Sequence, residues 1–154
     1  MKRTFATIAR IAFTAALIAV PFSAQAQFAK VEDAVKYRKS AFTVMATHFS
    51  RVGAVVKGEK PYDKAAVESD VAIVEMMSKL PWHALTPGSN TSDSRAKPEI
   101  WKEQDKFKAG ADKLQAEVGK LSIAAKSGDL NAIKSAFGGV GQSCKACHDN
   151  YRKD

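Results

Sequence analysis

The chain has 154 residues, of which 45% are hydrophobic and 26% charged, with a formal net charge of +8. The length suits one domain plus a targeting segment, and both fractions are ordinary for a globular protein. Neither an internal repeat nor a low-complexity tract interrupts the chain, and apart from the N-terminal apolar run no stretch approaches membrane length.

That N-terminal run predicts a cleavable signal peptide over residues 1–26. Met1, Lys2, Arg3 and Arg10 form a positive start, residues 11–20 a short apolar stretch, and Pro21 breaks it. Ala24-Gln25-Ala26 then presents the small-x-small pattern of a processing site, with cleavage expected before Gln27. A membrane anchor needs about 20 apolar residues, more than this stretch offers. Processing removes three bases and no acids, which leaves 21 bases against 16 acids and a net charge of +5. Export to the periplasm separates the protein from nucleic acid and, after cleavage, from the membrane. The lysines then form a solvated surface or, as a sharper alternative, steer an anionic partner.

The domain expected over residues 27–154 reads as helices. Glu32 and Asp33 put negative charge near a helix start, as the macrodipole favours. Val31, Val35, Arg38, Phe42, Met45, Phe49, Val52 and Val56 then recur at alternating spacings of four and three, the seam of a long bundle helix. Lys57-Gly58 ends it, and Pro61 prevents its resumption. Asp63 caps a second helix expected to run to Leu80. Val67, Val71, Val74 and Met77 form its row, Ala66, Ile73 and Leu80 widen it, and Pro81 stops it.

Residues 81–97 are rich in Pro, Gly, Ser, Asn, Thr and Asp and lack periodicity. A loop of this length inside a compact domain is functional or mobile. Pro98 and Glu99 open a third helix, with Phe107, Ala111, Leu114, Val118, Leu121 and Ala125 as its seam and Gly128 at its end. Asp129 caps a fourth, whose seam is Ile133, Phe137, Val140, Cys144, Cys147 and Tyr151. Gly138, Gly139 and Gly141 weaken that helix on propensity and let another surface approach its backbone. With no strand pattern, the expected fold is all-α, an antiparallel four-helix bundle.

The chemistry concentrates in Cys144-Lys145-Ala146-Cys147-His148, which holds the chain's only cysteines. This is the pattern of covalent haem attachment. Each thiol adds to one vinyl group, so the two sulfurs must reach adjacent edges of one planar macrocycle. The next histidine then lies under the iron and donates a ring nitrogen to it. A thioredoxin-type dithiol would sit beside a βαβ unit, which this pattern lacks. A structural zinc site needs four ligands, and here the two cysteines have one histidine nearby. A disulfide is permitted outside the cytoplasm but would close only a tiny loop. The motif lies on the seam of the last helix, so one haem c would sit between helices.

A helical bundle with its haem motif near the C-terminus resembles cytochrome c′, the α-helical class II cytochromes c. The stretches Gln27-Phe28-Ala29-Lys30, Glu32-Asp33-Ala34-Val35-Lys36-Tyr37-Arg38, Leu80-Pro81-Trp82, Pro98-Glu99-Ile100-Trp101 and Cys144-Lys145-Ala146-Cys147-His148-Asp149 carry the resemblance. It implies a five-coordinate, high-spin iron with His148 as proximal ligand. It implies binding of NO and CO with little or none of O2, a homodimer in many members, and roles in NO handling or electron transfer. It also places Arg38, Lys39 and, from the long loop, Asp93 at the haem, Phe42 over the open iron face, and Arg152 beside the proximal imidazole.

The residues themselves bear on each position. Arg38 is the one charge on an apolar seam, and burying an unpaired guanidinium is costly. A haem propionate would answer it bidentately, and snorkelling at the seam's end is the alternative. A phenyl ring at Phe42 neither ligates iron nor offers a hydrogen bond, and it also suits an ordinary core position. Met45 is the rival: a thioether could take the sixth iron position in a low-spin electron carrier of the c556 type, or simply fill the core. His48, Met76 and Met77 are weaker candidates. Arg152 follows His148 by four residues and shares its face, or serves as a cation at the helix end.

A second row on the first helix, Ala34, Tyr37, Ala41, Val44, His48 and Val55, predicts either a homodimer contact or a broad core face. Three functions compete: a gas-binding protein without turnover, an electron carrier with an unidentified redox partner, and a peroxidase-like enzyme. The last lacks a distal acid–base pair, so the expectation is that the protein is not an enzyme.

Overall fold

A computed structural model describes residues 27–153, and the signal peptide expected over residues 1–26 lies outside the described residues. The four-and-three seam of the first helix becomes α1 (Val31–Val56), with Glu32 and Asp33 in its first turn. Asp63 caps α2 (Lys64–Met77) by accepting the Ala66 N–H at 2.8 Å. This helix stops three residues short of Leu80. Pro81 disfavours the helical conformation just before it, and the Ser78 carbonyl accepts the Trp82 indole N–H at 2.6 Å instead.

The expected third helix is divided. A single turn, α3 (Glu99–Lys102), is separated from α4 (Gln104–Ser127) by Glu103, whose ψ of 46° leaves the helical region. Trp101 accounts for the division, because its indole N–H reaches the carbonyls of Leu85 and Thr86, each at 3.1 Å, and ties that turn to the long loop. Gly128, at a φ of 78°, ends α4 in the left-handed conformation that glycine adopts without penalty. Asp129 then caps α5 (Leu130–Tyr151) through the N–H groups of Asn131 and Ala132.

α1 packs on α2 and α5, and α4 on α2 and α5, so the four long helices close a ring around one core. Val52, Val67, Val71, Val74, Leu114, Val118, Leu121, Ile133 and Val140 fill it, each contributing about 1.5–3 kcal/mol by leaving water. No strand occurs among the described residues beyond an isolated bridge between Ala96 and Arg152. The expected close approach along the α5 glycines holds at Gly139, where the Glu117 carboxylate stands in the place of a Cβ, whereas a Cβ at Gly138 or Gly141 would point into open space. On α1, Gly53 receives the edge of Phe137, whose ring stacks on Phe49 at 4.1 Å.

Candidate haem site

Cys144 and Cys147 stand one turn apart on α5, half-buried and free of any disulfide. Burial pushes both thiols above their usual range, which keeps them protonated at neutral pH. His148 follows them and is exposed. Partial burial, then Arg152, then Arg95 hold its imidazole below the usual value, so the ring is neutral at pH 7 and keeps a lone pair for a metal. Arg152, one turn further, brings Nη1 within 3.4 Å of both ring nitrogens. The expected pairing of Arg152 with His148 is present, with the guanidinium turned onto the ring. No cluster of three or more His, Cys, Asp and Glu side chains suited to a metal ion occurs among the described residues. Two thiols and an imidazole within five residues, with no fourth donor grouped beside them among the described residues, therefore fit covalent haem attachment better than a four-ligand zinc site.

The end of the long loop is fastened to the same segment. Lys97 N–H donates to Tyr151 O at 2.9 Å, Lys153 N–H to Arg95 O at 2.8 Å, and Lys97 Nζ to Asp149 O at 3.0 Å. Arg95 Nε completes the set by donating to Lys153 O at 3.0 Å. This backbone pairing brings Arg95 and Lys97 beside the motif, a position the sequence did not predict. Backbone bonds of this kind have no side-chain signature.

The structure changes the argument for Arg38. The residue is buried, at 4% exposure, as its seam position predicts. Its guanidinium is not unpaired, however: it donates to Ala84 O, to the hydroxyl and carbonyl of Ser89, and to the hydroxyl of Ser94. Burial alone therefore does not demand a propionate, because loop oxygens already supply the acceptors. Lys39 and Asp93, each expected at the haem, meet one another here, with Lys39 Nζ donating to the Asp93 carbonyl at 3.2 Å.

Phe42 is half-buried and meets Trp82 edge-on, with ring centroids 5.7 Å apart. Trp82 contacts Phe107 at 5.8 Å, and Phe107 contacts Tyr151 at 5.2 Å. This aromatic run joins α1, the loop, α4 and α5. Met45 by contrast is 7% exposed and packed into the central core. His48 is engaged elsewhere, 2.6 Å from Asp70 on α2. Met77 packs against the core, and Met76 is exposed to solvent. The second α1 row is also divided. Ala34 and Ala41 are already buried within the chain, and Tyr37 packs with Phe28 and His83, whereas Val44 is exposed.

A family profile described as Cytochrome C′ matches residues 33–152. Cytochrome c′ of Alcaligenes xylosoxydans xylosoxydans is 53% identical over 127 residues, which covers 82% of this chain and 98% of the relative. The crystal structure of cytochrome c′ from Rubrivivax gelatinosus superposes with a TM-score of 0.80 at 44% identity, covering 82% of this chain and 100% of that one. A nitric oxide complex of a cytochrome c′ variant from Alcaligenes xylosoxidans gives a TM-score of 0.79 at 51% identity, covering 83% of this chain and 99% of that one. A carbon-monoxide-bound variant of the same protein matches to the same TM-score and identity. With the bundle, the paired thiols and the adjoining imidazole in place, the chain belongs to the cytochrome c′ family of haem c proteins.

Proposed function

We propose that this protein is a periplasmic, five-coordinate haem protein that binds NO and CO, discriminates against O2, and handles NO or passes electrons without turnover of its own. Cys144 and Cys147 hold one haem c by thioether links, and His148 is the only side chain ligating iron. When bound, the haem supplies an iron that takes a diatomic ligand and exchanges one electron. The chain's residues do the rest. Burial, Arg152 and Arg95 keep His148 neutral, which preserves its donor nitrogen. The observation that carries the reading is the contrast on α1 between Phe42, set against Trp82, and Met45, sealed in the core.

Phe42 offers no lone pair and no donor. The indole N–H of Trp82 is committed to Ser78 O, so it is not free to stabilise polar bound O2. NO and CO depend much less on such a donor. A peroxidase-like role would need an acid–base pair over the iron face; His48, the histidine of α1, is turned to Asp70 on α2, away from Phe42. NO and CO complexes of similar proteins are consistent with this assignment. Residues 1–26 direct export, and the exposed Val44 on the outer side of α1 suits contact with a second copy.

The test is the absorption spectrum of protein produced with haem maturation machinery, followed by NO titration of the ferrous form. High-spin bands, NO binding, and a mass equal to residues 27–154 plus one haem are expected. A low-spin spectrum with a sulfur-to-iron charge-transfer band would show a methionine ligand, with Met45 the first candidate, and overturn the proposal.

A further inference from the structure

Residues 81–97 run from the end of α2 to the segment fastened beside His148, and no helix ladder holds most of them. Trp101 bonds Leu85 and Thr86, and Lys39 bonds Asp93, but the largest set of bonds comes from one side chain of α1. Arg38 donates through Nη1 to Ala84 O and Ser89 Oγ, both at 2.8 Å. Through Nη2 it donates to the Ser89 carbonyl and to Ser94 Oγ, the latter at 2.6 Å. All four acceptors belong to the loop, and Ala84, Ser89 and Ser94 are themselves buried. The planar fork of arginine suits this task, because it directs donors along several fixed directions from one buried point. Bonds from a charged donor are also about twice as strong as neutral ones.

One turn along α1, Phe42 meets Trp82 at the start of the same loop. The loop is thus held to α1 by polar bonds at one position and by ring contact at the next. We propose that Arg38 is a positioning residue that latches residues 84–94 against α1, keeps Trp82 seated on Phe42, and so sets how fast a diatomic ligand reaches the iron face opposite His148. The inference rests on the haem reading above. It assigns Arg38 a role distinct from any contact with the haem itself.

The holoprotein carrying Ser89→Ala with Ser94→Ala removes two of the acceptors and leaves the arginine, with any other bond it makes, in place. Arg38→Lys removes the fork and keeps the charge. Both variants are expected to speed amide exchange across residues 84–96 by about tenfold or more, with α4 and α5 unchanged. Both are also expected to raise the CO association rate after flash photolysis. Faster CO association in Arg38→Lys alone would mean that the arginine acts on the haem directly, and would overturn the latch. Unchanged loop exchange in the serine variant would overturn it as well. That variant carries the test by itself if Arg38→Lys fails to accumulate. If the unaltered protein binds no CO, the gas-binding function falls, and loop exchange still decides the latch.

Discussion

Replacing Gly53 or Gly139 by alanine adds the same methyl group to a helix interior and brings the same intrinsic gain of about 1 kcal/mol. The neighbours decide what remains of it. At Gly53 the new carbon would lie 3.0 Å from Cζ of Phe137. That ring cannot swing freely, because it stacks on Phe49 at 4.1 Å and 9°. Overpacking of this kind costs about 1–3 kcal/mol, so Gly53→Ala is expected to be neutral or to lose up to about 2 kcal/mol. At Gly139 the methyl group meets the Glu117 carboxylate, the far end of a flexible chain. Moving it sacrifices at most the ion pair with the exposed Lys120, 2.7 Å away, which is worth about 0–1 kcal/mol. Gly139→Ala is therefore expected to be neutral or to gain up to about 1 kcal/mol. For a chain of this size, about 1 kcal/mol moves Tm by about 4 °C. Thermal unfolding of the two holoproteins, followed by far-ultraviolet circular dichroism at matched haem content, checks the difference. Equal shifts of the same sign would show that helix propensity alone governs both sites.

Three further outcomes are expected. Met45→Leu, a swap of similar volume in the core, should cost less than about 1.5 kcal/mol and leave the haem spectrum unchanged; conversion of a low-spin to a high-spin spectrum would identify Met45 as a ligand. With His148 as the proposed iron ligand, Arg152→Ala should raise the pH at which acid titration releases iron from its imidazole. His148 is held down first by burial and then by Arg152, so losing that cation lets a proton compete with iron at higher pH; Arg152→Lys, which keeps the charge, should stay near the parent. Gly128→Ala should destabilise by at least about 1 kcal/mol in guanidinium unfolding, because the position has a φ of 78° and the added carbon would meet Lys64 Cε at 2.9 Å.

The helices were legible in the chain because their determinants are local. The seam of α1, the caps Asp63 and Asp129, and the stop at Gly128 each act within a turn or two of their own position. The candidate haem motif stands out for the same reason, since its two thiols and imidazole lie within five residues. Pro81 marked a stop for α2, but the earlier end at Met77 and the division before α4 were not legible, because a tryptophan N–H at each finds a carbonyl outside its own helix or turn. The burial of Arg38 followed from its place on an apolar row, but its partners stand 46 to 56 residues away in sequence. Only folding brings those oxygens within reach. Periodicity records which side of a helix avoids water; which polar group answers a buried charge depends on what the rest of the chain delivers to that side.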